Sequence, residues 1–148
     1  MRVVLDSGPL GLLSNPTATG IARAVHEWAV HVLDRGDALV IAEIGDYEVR
    51  RELLRAGKAR GLERLDVLAD ALDYERITTS AMLEAAQLWA QVRNAGQPKA
   101  HDAALDGDVI LAAQSLGLRR RIDDDVVVAT TDAKHLARFV DARSWSDI

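Results

Sequence analysis

Four acidic residues stand where hydrophobic runs break off or begin: Asp6, Glu43, Asp108 and Asp132. Asp6 closes Val3-Val4-Leu5, and Glu43 follows Leu39-Val40-Ile41-Ala42. Asp108 opens Val109-Ile110-Leu111-Ala112-Ala113, and Asp132 follows Val126-Val127-Val128-Ala129-Thr130-Thr131. In an open parallel sheet the carboxyl ends of the strands line one crevice, and ligands bind there. Carboxylates gathered in such a crevice repel one another unless a cation holds them. Hard oxygen donors suit Mg²⁺ or Mn²⁺. Such an ion activates water and withdraws charge from a phosphoryl oxygen, so the pattern points to metal-dependent chemistry on phosphate.

Each acid also has a plainer reading taken alone. Asp108 at a helix start would complement the helix dipole, Asp106 would be the N-cap proper, Asp6 a loop cap and Glu43 a surface acid. Four such coincidences at strand ends are less economical than one site. His26, His31, His101 and His135 show no metal-binding spacing, and Trp28 and Trp89 lie in helical stripes that read as core.

The elements that must position these acids alternate in kind. Residues 2–5 read as a buried strand, broken by Ser7-Gly8-Pro9. Residues 21–35 carry Ile21, Val25, Trp28, Ala29, Val32 and Leu33 at amphipathic-helix spacing, with Gly36 at the C-terminal cap. Residues 38–42 return to strand. A helix is expected over 46–56, interrupted by Gly57 and Gly61, with a second stripe at Leu62, Leu65, Leu68 and Leu72. Residues 77–79 read as a short strand, and Ser80 as the N-cap of a helix over 81–95. An exposed loop over 97–106 leads to a helix from Asp106 to Leu116, stopped by Gly117. Residues 126–130 are the most strand-like segment, and a short helix around 133–139 and a segment 142–145 follow. Strands alternating with helices predict an α/β fold with a mostly parallel sheet covered on both faces, as one domain over 1–148.

The chain has 148 residues, 49% hydrophobic and 28% charged, an ordinary balance for a folded domain. It has no cysteine, which excludes disulfides and thiolate metal sites and fits a cytoplasmic setting. An acid at the sixth position argues against a signal peptide, and no apolar run approaches the ~20 residues of a membrane span. The net charge of −5 is opposite in sign to the usual nucleic-acid footprint. Arg50, Arg51, Arg55, Lys58 and Arg60 cluster, as do Arg119, Arg120 and Arg121, so local basic surface exists.

Taken in order, Val3-Val4-Leu5-Asp6-Ser7-Gly8, Ile41-Ala42-Glu43-Ile44, Leu105-Asp106-Gly107-Asp108-Val109-Ile110 and Ala129-Thr130-Thr131-Asp132 resemble the PIN-domain ribonucleases, including the VapC toxins of bacterial toxin–antitoxin pairs. The string Glu43-Ile44-Gly45-Asp46-Tyr47-Glu48-Val49-Arg50-Arg51-Glu52-Leu53 looks like one bacterial subgroup of them. The resemblance covers essentially the whole chain. It implies a three-layer α/β/α sandwich in which an acidic cluster binds Mg²⁺ or Mn²⁺ and cleaves RNA. Carried over, Asp6 and Asp108 become direct metal ligands. Glu43 ligates or orients the attacking water, and Asp132 completes an outer shell or a second metal. Ser7 and Thr130 match the small hydroxyl residues beside the site, and Asp106 has a minor supporting place. Ala42 stands where the family often has proline. The resemblance further implies an antitoxin partner and a homodimer. Arg51, Arg55 and Lys58, at i, i+4 and i+7, offer a stripe for RNA phosphates.

Two other classes compete. A receiver-type phospho-acceptor domain needs an adjacent acid pair and a late lysine, but Asp6 stands alone and Lys134 follows the wrong strand end. A catalytically silent PIN-like interaction module would not need all four acids. A haloacid-dehalogenase reading fails because Gly8, not an aspartate, lies two residues after Asp6.

Overall fold

The computed structural model describes residues 1–17, 19–96 and 102–148. Among these, five strands form one parallel sheet: β1 (Arg2–Leu5), β2 (Ala38–Ala42), β3 (Asp73–Glu75), β4 (Val126–Thr130) and β5 (Ala142–Ser144). The helices are α1 (Ser7–Leu13), α2 (Gly20–Asp34), α3 (Glu43–Arg55), α4 (Ala59–Ala71), α5 (Thr79–Asn94), α6 (Asp102–Arg121) and α7 (Ala133–Leu136). A 3₁₀ turn, Trp145–Asp147, follows β5. No helix among the described residues is long and apolar enough to cross a membrane.

The central strands are apolar at consecutive positions because both faces of the sheet are covered. Val4 lies opposite Val40 and Val128, and Leu5 opposite Ile41 and Ala129. Val3, Leu5, Leu39, Ile41, Val127 and Ala129 pack one way, with Leu10, Val25, Val32 and Leu65 from α1, α2 and α4. Val4, Val40, Ala42 and Val128 pack the other way, with Leu111 of α6 and Leu136 of α7. Each such Leu or Val contributes roughly 1.5–3 kcal/mol when fully buried. This is the three-layer α/β/α arrangement expected from the sequence.

The strand order is β3-β2-β1-β4-β5. The chain winds from β1 outward to β3, then returns to place β4 on the other side of β1. The carboxyl ends of β1 and β4 therefore flank the point where the winding reverses, the crevice that a parallel α/β sheet opens to ligands.

Several local expectations are corrected. Ser7-Gly8-Pro9 does not break the chain but starts α1, because Asp6 Oδ1 accepts the Ser7 N–H at 2.7 Å and proline is tolerated in a first helical turn. Helix α3 begins at Glu43 rather than 46. Gly57, at φ +65°, ends it, but Gly61 lies inside α4, where an added Cβ would meet Leu53 at 2.7 Å. The third strand is 73–75 rather than 77–79, and Thr78, not Ser80, caps α5 by accepting the Ala81 N–H at 3.1 Å. Of the loop expected over 97–106, residues 97–101 lie outside the described residues, and 102–106 are helical. Helix α6 also runs through Gly117. A glycine costs a helix only ~1 kcal/mol, and tethers from Arg120 to Glu84 and from Arg121 to Glu75 hold its last turn in place.

Candidate active site at the strand ends

Asp6 sits at the end of β1, half-buried, with its backbone N–H bonded to the Ala129 carbonyl of β4. Its carboxylate is held from both sides. Oδ1 accepts the Ser7 N–H, and Oδ2 accepts the Thr130 hydroxyl at 2.6 Å. Thr130 is itself buried, and its Oγ1 accepts the Asp132 N–H at 3.1 Å. Ser7 and Thr130 thus orient Asp6 across the reversal point.

Asp108 lies within α6, in its second turn rather than at its start, so the dipole account of this residue fails. Its carboxylate accepts no hydrogen bond among the described residues. Burial, then the charge of Asp6, pushes it up to about 6, with a smaller upward contribution from Glu48 and opposing contributions from His135 and Arg138. A half-buried carboxyl so placed is a common mark of a functional site.

Glu48, which the sequence reading passed over, supplies the third acid. Burial is the main cause of its raised pKa. Ser7 opposes the rise by hydrogen bonding, Asp6 adds to it, and Arg51 opposes it. Two glycines explain how Glu48 reaches this place. An added Cβ at Gly45 would stand 3.3 Å from the Leu5 carbonyl, so α3 lies close against the end of β1. Glu48 is three residues on, on the same helix face. At Gly107, an added Cβ would run into Glu48 Oε1, so the gap between α6 and α3 is the space this carboxylate fills. Glycine three residues before an acid was the available sequence signal.

The other expected residues are engaged in contacts of their own. Glu43, the first residue of α3 directly after β2, has its Oε2 accepting the Ile77 N–H of the segment between β3 and α5 at 2.5 Å. Beside it, buried Gln114 accepts the Ile44 N–H and donates to the Glu75 carbonyl at 2.6 Å, so this corner is built to hold backbone. Asp132 is exposed, caps α7 through the Lys134 N–H at 3.2 Å, and lies 3.7 Å from His135 Nε2. Asp106 is the fifth residue of α6 rather than its cap. It is exposed and lines an apolar hollow with Met82, Trp89 and Val109. Trp89 is 37% exposed rather than core, with Arg93 over its ring, whereas Trp28 packs edge-on against Trp145.

An open groove of about 690 Å³ leads away from the acids, walled by Ser7, Gly8, Glu48 and Ala104 at one end and by Arg51, Arg55 and Lys58 further out. Arg51 stacks over Tyr47 at 5.2 Å, and Arg55 pairs with Glu52 at 2.8 Å. The expected basic stripe therefore faces the groove.

All the donors at the site are oxygens, which fits Mg²⁺ or Mn²⁺. Asp108, raised by burial and by a neighbouring carboxylate, is a negative group without a counter-charge in contact. Among the described residues no three acids or histidines stand close enough to form a ready-made metal cage. Mg²⁺ does not require one, because it keeps several waters and takes only one or two carboxylates directly.

No protein-family model matches the sequence, and no curated protein matches it. Solved structures do share its fold. VapBC2 from Rickettsia felis, bound to a DNA fragment from its promoter, aligns with a TM-score of 0.72 at 13% identity, over 98% of this chain and 99% of that one. VapBC-1 from nontypeable Haemophilus influenzae gives 0.69 at 15% identity, over 99% of both chains. DNA-bound VapBC from Salmonella typhimurium gives 0.60 at 18%, over 98% of both. The chain has the PIN-like fold of these proteins.

Proposed function

We propose that the protein is a metal-dependent endoribonuclease of VapC type, the toxin of a toxin–antitoxin pair. The observation that carries this reading is that Asp6, Glu48 and Asp108, at the end of β1 and within α3 and α6, lie near enough to feel one another's charge, with a basic groove beside them. Asp6 and Asp108 are the proposed direct ligands of Mg²⁺ or Mn²⁺. Glu48 takes the part first assigned to Glu43, as a ligand or as the group orienting the attacking water, while Asp132 is left to an outer position. A bound divalent ion supplies a low-pKa water and a Lewis acid for the phosphoryl oxygen. The chain's own residues do the rest. Thr130 and Ser7 fix the Asp6 carboxylate, Glu48 takes a proton from water, and Arg51, Arg55 and Lys58 hold the strand by its phosphates.

The solved neighbours are VapBC assemblies, which supports an antitoxin partner for this chain. An antitoxin arginine inserted among the three acids would displace metal and RNA together. A homodimer is part of the same proposal, because two small subunits give RNA a longer track, and light scattering at tens of micromolar reads it. A 16.1 kDa species there would refute the dimer.

The test is incubation of the purified chain with labelled single-stranded RNAs, with Mg²⁺ or Mn²⁺ and with EDTA. Metal-dependent cleavage that disappears in Asp6→Asn and Asp108→Asn supports the reading. The separation of the acids favours one rival, a catalytically silent PIN-like module. No cleavage, together with no shift of the melting midpoint on Mg²⁺ titration, would decide for that rival.

A further inference from the structure

The three arginines that end α6 do not have the same surroundings. Arg120 donates to Glu84 at 2.6 and 3.0 Å, and Arg121 to Glu75 at 2.6 Å. Arg119 is exposed and has no carboxylate partner among the described residues. It lines, with Arg138, a cleft of about 230 Å³ between the C-terminal half of α6 and the connection from α7 to β5. The other polar groups on this wall are already engaged. The Ser115 hydroxyl donates to the Leu111 carbonyl at 2.9 Å, and Asp141 is paired with Arg143 at 2.7 Å. Arg138 is held in place by donating its Nε–H to the His135 carbonyl at 2.9 Å and by lying 5.0 Å from the Phe139 ring centroid. Among the described residues, neither guanidinium group has a carboxylate within ion-pair distance in this concavity.

The cleft lies along the same helix that carries Asp108. Asp108, Ser115 and Arg119, at i, i+7 and i+11, share one stripe of α6. Arg119 lies about 16 Å beyond Asp108 along that helix. Arg138 also lines the cleft and is close enough for its charge to reach Asp108. In the other direction Ala104, one turn before Asp108, walls the α3 groove. The acids lie between two cationic surfaces.

We propose that Arg119 and Arg138 form a second phosphate subsite, which takes a backbone phosphodiester of the same RNA strand on the far side of the acids from the α3 groove. The inference rests on the RNA-cleaving reading and extends it. Planar guanidinium groups suit phosphate because they can bind two oxygens at once. A strand bound on both sides of the acids is fixed at its reacting phosphodiester, whereas one bound on a single side can swing away.

The test is RNA binding by the full chain in EDTA, followed by fluorescence anisotropy of a labelled single-stranded RNA across a series of salt concentrations. Arg119→Gln and Arg138→Gln should each weaken binding about three- to tenfold near 0.1 M salt. Each should also reduce the slope of log K against log salt by about 0.7, the release expected for one phosphate of a single strand. Arg120→Gln, whose charge is already paired with Glu84, should leave the slope unchanged. Melting midpoints check the fold, and Arg119→Gln carries the test alone if Arg138→Gln unfolds. An unchanged slope in Arg119→Gln while the wild type binds RNA overturns the subsite and leaves the nuclease reading standing. An equal loss in Arg120→Gln reduces the effect to general surface charge and also overturns it. A polyglutamate peptide held by the wild type and lost in Arg119→Gln, with the RNA slope unchanged, would assign the cleft to an acidic protein segment instead. Absence of RNA binding by the wild type overturns the parent reading and the subsite with it.

Discussion

Replacing Asp108 by Asn should stabilise the metal-free protein, and the gain should depend on pH. The Asp108 carboxyl is raised from 3.8 to about 6, chiefly by burial and next by the charge of Asp6. A raised carboxyl pKa means that the folded state holds the proton more tightly than the unfolded chain. The associated stability is fully present below pH 3.8 and is lost as pH rises through about 6. Two units at 1.36 kcal/mol each give about 3 kcal/mol. The group is only half-buried, so solvent screening reduces this to about 1–2 kcal/mol. Asn is nearly isosteric and uncharged, and no hydrogen bond among the described residues is lost with the carboxylate. For a domain of this size 1 kcal/mol moves the melting midpoint by roughly 2–4 °C, so Asp108→Asn should melt about 3–6 °C above the wild type at pH 8 in EDTA. The two curves should converge near pH 4. Adding Mg²⁺ should raise the wild-type midpoint by preferential binding to the folded state and leave the variant nearly unmoved. A variant that melts below the wild type at pH 8, or an offset that does not change with pH, would mark Asp108 as a structural residue and refute the reasoning. Asp6→Asn should gain less than Asp108→Asn, because it disturbs the bonds from Ser7 and Thr130 to Asp6.

Three other outcomes are expected. Glu48→Gln should lower RNA cleavage at least tenfold, while Glu43→Gln, whose side-chain carbonyl still accepts the Ile77 N–H, should retain it; initial rates on one RNA compare them, and the reverse order would restore Glu43 to the site. Gly107→Ala should keep or slightly raise the melting midpoint, since alanine favours a helix interior by ~1 kcal/mol, yet reduce cleavage, because its methyl displaces the Glu48 carboxylate; unchanged kcat would show that Glu48 is not needed where it sits. Arg51 and Arg55 changed together to Glu should weaken RNA binding and flatten its salt dependence in anisotropy titrations, and an unaltered slope would leave their stripe a solvated face.

The sequence by itself determined the sheet. Val3-Val4-Leu5, Leu39-Val40-Ile41 and Val126-Val127-Val128 are apolar at every position, and only strands covered on both faces require that. It also determined Asp6, because an acid directly after a buried strand can lie only at the strand's carboxyl end. What it left open was the direction in which each helical acid faces, since that depends on where a helix starts and on what packs against it. Nothing in the spacing of Glu43, Asp46, Glu48 and Glu52 shows which of them faces the end of β1, so Glu48 was not singled out. Asp108 was singled out as a ligand, but at the opening of a helix over 106–116, whereas α6 begins at Asp102 and carries it in its second turn. Only the tertiary structure decided these faces, through Gly45 meeting the end of β1 and Gly107 meeting Glu48, contacts between segments 40 to 60 residues apart in the chain. The order β3-β2-β1-β4-β5 was equally a tertiary outcome: it sets β4 beside β1 and so joins Thr130 to Asp6 across 124 residues of sequence. Hydrophobic periodicity is local and shows which residues are buried, but the partner of a buried carboxylate is fixed only when the layers close.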